Sequence, residues 1–149
     1  MLVLREADER YYMGIERTRS GRFVLIGTSS KLTSEVWFVP TDAPATEPRV
    51  IAPRDQGHEY SVEHHWSEER GDRFLIVTNQ GGGARNFELV SAPCVDPARQ
   101  YWTPLVPHRE DVKLDAVCAF AGHLVLSERA QGLERLRVMS VEDGDIHEI

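Results

Sequence analysis

Six histidines, two cysteines and three tryptophans are the side chains of this 149-residue sequence with the widest scope for chemistry, and their spacing limits what they can do. His64 and His65 are adjacent; on a strand they point to opposite faces and cannot hold one metal ion together. His58, His108, His123 and His147 are scattered through turns and strand ends, so no metal site is expected. Ser29-Ser30-Lys31 lacks the Ser-x-x-Lys spacing of serine-lysine chemistry, since Thr28 stands where that serine would be. Gly81-Gly82-Gly83 has no following Gly-Lys-Ser/Thr and opens no helix, which makes it a hairpin loop and not a phosphate cradle. No Gly-x-Ser-x-Gly elbow occurs, so a serine nucleophile has no exposed turn to stand on. Asp55, Glu59 and Glu63 could gather into an acidic cluster for a cation, although a solvated rim explains them as well. Trp37, Trp66 and Trp102 fall on or beside strands, where core packing outweighs a ligand platform. No residue is therefore assigned a catalytic, cofactor-binding or metal-ligating role.

The bulk composition narrows the class. Hydrophobic content of 41% and charged content of 28% suit a folded globular chain. A net charge of -7 argues against general affinity for nucleic acid or anionic membranes, which require basic patches. Met1 to Leu4 run straight into Arg5, Glu6, Asp8, Glu9 and Arg10, so no signal peptide core is expected, nor is any apolar run long enough for a membrane helix. Cys94 and Cys118 lie far apart without metal or redox spacing, and read as reduced, partly buried thiols in a cytoplasmic protein.

The elements that must position these residues repeat. Between His58 and Arg109 lie four short apolar runs, Tyr60–Trp66, Arg73–Thr78, Asn86–Val90 and Trp102–Val106, bounded by Gly, Asn, Asp and Pro, the pattern of an antiparallel meander. Shifted back by 51 residues, Phe74-Leu75-Ile76-Val77 falls on Phe23-Val24-Leu25-Ile26 and Phe87-Glu88-Leu89-Val90 on Val36-Trp37-Phe38-Val39. Shifted forward by about the same distance, the unit meets Leu114–Phe120, His123–Ser127 and Leu136–Met139. Four strands per period of roughly 50 residues is the signature of β-propeller blades.

The fold class expected is therefore all-β: about three four-stranded antiparallel blades of an incomplete propeller, with little helix. Residues 1–9 read as the end of a preceding blade, with a strand at Val3–Glu6, followed by blades at 10–56, 57–110 and 111–149. Hairpins are expected at Gly71-Asp72 and Gly81–Gly83, and Phe23, Phe74 and Leu124 in equivalent buried positions. A ring needs about four to eight blades, so the chain reads as a segment of a larger one.

Longer stretches carry a resemblance. Leu4–Tyr12, Ser29–Val36, Ile51–Arg54, Gly57–His64, Arg73–Asn79, Asn86–Val90, Pro107–Arg109 and Leu126–Leu133 resemble, in order, the propeller of the oligopeptidase B (protease II) group in the prolyl oligopeptidase family of serine peptidases. The likeness runs from residue 3 to about residue 141.

That resemblance implies a ring of seven blades, within the usual range, capping an α/β-hydrolase catalytic domain of the same parent chain. It implies hydrolysis of short basic peptides after Lys or Arg, with the propeller gating access. The catalytic triad belongs to the hydrolase domain, so this segment is expected to be inactive alone. It is also expected to self-associate through its uncovered end blades. Two alternatives are a free-standing propeller-type interaction scaffold and a closed β-barrel that binds a small ligand.

Overall fold

A computed structural model describes residues 2–149. Twelve strands form three separate four-stranded antiparallel sheets, each made of consecutive strands. The first sheet is β1 (Tyr12–Arg17), β2 (Phe23–Ser29), β3 (Ser34–Pro40) and β4 (Arg49–Val50), in that spatial order. The second is β5 (Tyr60–Ser67), β6 (Gly71–Thr78), β7 (Glu88–Pro93) and β8 (Thr103–Val106). The third is β9 (Lys113–Ala119), β10 (His123–Ala130), β11 (Leu133–Ser140) and β12 (Ile146–Glu148). The only helical turns among the described residues are short 3₁₀ segments at Gln80–Gly82 and Arg99–Tyr101. Three separate sheets rule out the closed barrel.

Local chemistry explains the hairpins. β5 and β6 are joined by Glu68–Arg70, and Gly71 at φ +66° closes the turn as the first residue of β6, so this hairpin turns just before Gly71-Asp72. Gly81–Gly83 does lie in the β6–β7 connection, where Asn79 Oδ1 accepts the Gly81 N–H at 3.0 Å. Pro104 sits at the register shift between β7 and the edge strand β8, where a missing N–H costs no ladder bond.

The sheets stack through two apolar layers. Leu25, Phe38 and Ile51 of the first meet Phe74, Ile76 and Val90 of the second. Leu75, Val77 and Leu89 on the opposite face of the second meet Leu114, Leu124 and Leu126 of the third. Tyr60 ties the first junction: its hydroxyl accepts from Val36 N–H at 2.8 Å and donates to Ala52 O at 2.7 Å. Burial pushes its pKa up to about 12.

Two expectations are corrected. Val3–Glu6 forms no strand; residues 2–8 have no ladder partner. The outer strand of the first sheet is Arg49–Val50 alone. Phe74 and Leu124 do occupy matching positions, each facing the preceding sheet, but Phe23 faces the following sheet, is half-buried, and meets Phe74 across the junction with ring centroids 5.0 Å apart. Side chains alternate faces along a strand: Phe23 shares the face of Leu25 toward the following sheet, as Leu75 and not Phe74 does on β6, so the 51-residue alignment set Phe23 one position out of step.

Candidate functional site at the junction of the first two sheets

The junction places a serine, a histidine and an aspartate in one hydrogen-bonded chain. His64 lies on the face of β5 turned to the first sheet, with its side chain wholly enclosed against Phe23 and Phe74. Its Nδ1 is 2.7 Å from Ser20 Oγ, in the turn between β1 and β2, and its Nε2 is 2.8 Å from Asp72 Oδ1, at the start of β6. Arg22 Nη1 donates to the same Asp72 oxygen at 3.1 Å. With Asp72 accepting from Nε2–H, Nδ1 is left to accept the Ser20 hydroxyl proton.

The three residue types are those of acyl-transfer chemistry, but the surroundings of Ser20 do not supply the rest of it. An oxyanion needs free donors beside the nucleophile. The two N–H groups that follow Ser20 are committed: Gly21 N–H to Thr18 O at 2.8 Å and Arg22 N–H to Ser20 Oγ itself at 3.2 Å. Thr18 Oγ1 is a further partner of the serine oxygen at 2.9 Å. The chain Ser20–His64–Asp72–Arg22 is thus a polar clasp that fastens a turn of the first sheet to two strands of the second.

Its charge state depends on pH. Burial lowers the His64 pKa from the ordinary value of 6.5, with Asp72 partly opposing it, and burial lowers those of His58 and His65 also. A folded-state value below the unfolded one means that the stabilisation is complete above the unfolded pKa and is lost as pH falls through the folded one. The melting temperature should therefore hold steady above about pH 7 and decline below about pH 6. Replacing His64 with Gln should flatten that decline; a thermal-shift series in which the slope is unchanged would contradict the assignment.

Beside the clasp lies a groove of about 810 Å³, lined by Arg17, Arg22, Arg49, Asp42, Asp72 and Cys94 among others. Its cations are already engaged: Arg17 with Gly21 O, Arg22 with Asp72, and Arg49 with Val95 O at 3.1 Å. Burial, and then the Asp72 charge, push the Cys94 thiol up to about 12, so it is no thiolate nucleophile.

The other sequence candidates disperse. Asp55 pairs with Arg99 at 3.5 Å, and Glu63 accepts from His64 N–H at 2.8 Å and lies 3.4 Å from Arg19 N, so the acidic cluster with Glu59 does not form. No group of three metal-ligating side chains occurs among the described residues. His65 faces away from His64, toward the third sheet, with Nε2 3.2 Å from Ala121 O. His58 is buried and stacked on Tyr60, its Nε2 2.9 Å from Thr78 Oγ1; His123 and His147 are exposed and His108 half-buried. Trp102 packs on the first core, and Trp37 donates to Glu35. Trp66 departs from the core expectation: it is 43% exposed, with Arg22 over its ring. Cys94 and Cys118 are both free and half-buried.

A second polar centre escaped the sequence reading. Glu128, on β10, has a fully buried side chain that receives both Arg137 Nε and Nη2 at 2.9 Å and also Arg109 Nη2, with Arg135 3.7 Å away. Burial alone would raise its pKa, but the hydrogen bonds from Arg137 and Arg109 prevail and lower it. The signal was present: in Leu124-Val125-Leu126-Ser127-Glu128 the alternation puts the glutamate at an inward position.

Residues 1–148 match the family described as prolyl oligopeptidase, N-terminal beta-propeller domain. The chain is 39% identical over 141 residues to dipeptidyl aminopeptidase BI of Pseudoxanthomonas mexicana, covering 95% of this chain and 18% of that one. It is 32% identical to Protease 2 of Moraxella lacunata over 148 residues, 99% of this chain and 20% of the relative. The solved oligopeptidase B from Trypanosoma brucei with covalently bound antipain superposes with a TM-score of 0.84 at 26% identity, over 98% of this chain and 21% of that structure. The chain thus spans about a fifth of the length of the proteins it matches.

Proposed function

Since the chain belongs to the prolyl oligopeptidase N-terminal β-propeller family, we propose that it is the non-catalytic propeller segment of an oligopeptidase B-like serine peptidase that cuts short peptides after Lys or Arg. Its role there is gating: twisted sheets around a channel admit an extended peptide and turn away a folded protein before any chemistry occurs. The partner is an α/β-hydrolase domain of the same parent chain, in a cytoplasmic setting. The observation that carries this reading is the family match along the whole segment, on three consecutive four-stranded sheets.

Identity of 39% to a dipeptidyl aminopeptidase, against 32% to Protease 2, favours a second reading in which the parent removes dipeptides. Substrates separate the two: a parent of the first kind cleaves an amino-blocked Arg-Arg fluorogenic substrate, and one of the second kind requires the free amino terminus. The isolated segment is expected to turn over neither and to take no label from a serine-directed phosphonate. Stoichiometric labelling of a serine in it would sink the non-catalytic role. We also propose that the segment associates with itself through its end sheets, where Met13 and Ile15 on one side and Leu136 on the other are exposed. Light scattering of the same preparation should then read a multiple of 16.9 kDa.

A further inference from the structure

Between β1 and β5 the first two sheets leave a cleft of about 430 Å³. Gly14 and Gly27 stand opposite each other in the β1–β2 ladder, and a Cβ at either would meet nothing within 4 Å. Both lie on the surface turned to the second sheet, since Leu25 two positions before Gly27 belongs to the first core layer. Leu25, Val36 and Val62, all buried, form the apolar part of the cleft wall, beside Ser34, Glu35 and Ser61. Two facing glycines in mid-strand surrender both packing and chain entropy, and such positions mark sites where another chain comes close. Glu16, paired with Leu25 on that same surface of β1, stands exposed at the cleft. Among the described residues its carboxylate has no hydrogen-bond or ion-pair partner. β1 is also an edge strand, with a free row of backbone donors and acceptors.

We propose that this cleft binds an extended peptide that adds along the free edge of β1 and lays a basic side chain over the Gly14–Gly27 floor. The aliphatic stem of a lysine or arginine covers the floor beside Leu25, Val36 and Val62, and its cation reaches Glu16. A stem on apolar surface with the charged end in water is how these side chains are ordinarily accommodated. Strand addition supplies affinity through the backbone, and the notch supplies selectivity through every second side chain. Every residue of the cleft that the proposal uses lies in the first two sheets, so binding is read on this chain by itself, separately from any peptidase activity.

The test is a fluorescence-anisotropy titration of the chain with an end-capped, fluorescein-labelled Ser-Val-Lys-Val-Ser peptide at low salt. Saturable binding is expected. Gly27→Val should weaken it about tenfold or more, because valine fills the notch, while leaving the melting temperature unchanged or higher, because valine suits a strand. Gly14→Val makes the same test on the edge strand should the first variant fold poorly. Glu16→Gln should weaken the lysine peptide about fivefold, the scale of an exposed ion pair, and leave its norleucine counterpart unchanged. Absence of saturation at millimolar chain, parental affinity in a folded glycine variant, or equal effects of Glu16→Gln on both peptides would each overturn the proposal.

Discussion

Replacing Glu128 with Gln is expected to lower the unfolding free energy by about 3–5 kcal/mol, the usual cost of removing one partner from a buried ionic group. The carboxylate is inaccessible to solvent and lies among Arg109, Arg135 and Arg137. Arg137 and Arg135 come from β11, and Arg109 from the connection between the second and third sheets, so the network holds that connection onto the hairpin of β10 and β11. Taking away the anion leaves three partly buried guanidinium groups crowded together without their counter-charge. Urea unfolding at neutral pH followed by circular dichroism measures the loss, and a change below about 1 kcal/mol would show that the network is solvated in solution. The pH dependence provides an independent check. The folded-state pKa of Glu128 lies below the usual 4.5, so its contribution is present above the unfolded value and disappears as pH falls through the folded one. The parent should therefore lose stability steeply in acid, and the Gln variant should lose less over the same range.

Phe74→Ala should cost about 3–5 kcal/mol, as deletion of a large core side chain does when the surroundings cannot collapse. Phe74 is 0% exposed and sits where the two sheets are closest knit: its ring meets Phe38 at 4.9 Å and Phe23 at 5.0 Å between centroids. Because single domains are stable by only about 5–15 kcal/mol, this one change removes a large share of the total. Phe74→Leu should cost less, since it keeps much of the volume. If thermal and denaturant unfolding of Phe74→Ala matched the parent, the first junction would not be part of the cooperative unit.

The class of fold was legible because each sheet repeats the same chemistry. Short runs of Val, Ile, Leu and Phe, punctuated by Gly, Asn and Pro, specify strands and tight turns whatever the neighbours are. The resemblance to the propeller of the prolyl oligopeptidase family added the identity, through long stretches no composition argument could provide. What failed had a common cause. β2 and β6 are apolar on both faces: β6 lies between the two core layers, and β2, in an end sheet, carries Val24 and Ile26 on the face turned away from the second sheet. A shift of one residue therefore leaves the hydrophobic match intact while turning every side chain over, and Phe23 was aligned with the residue it faces across the junction.

The same limit hid the polar centres. Ser20, His64 and Asp72 lie up to 52 positions apart in sequence, and only the stacking of one sheet on the next brings the turn of β1–β2 over β5 and β6. Glu128 and Arg137 lie on neighbouring strands, but Arg109 reaches them from the preceding unit. Val3–Glu6 has the composition of a strand, yet a strand exists only where another offers a ladder. The sequence by itself determined the strands, the turns and the family, since these rest on local patterning and on likeness along the chain. The tertiary structure alone decided which face each side chain takes, which polar groups meet, and where the Gly14–Gly27 cleft opens, because those depend on how one sheet packs against the next.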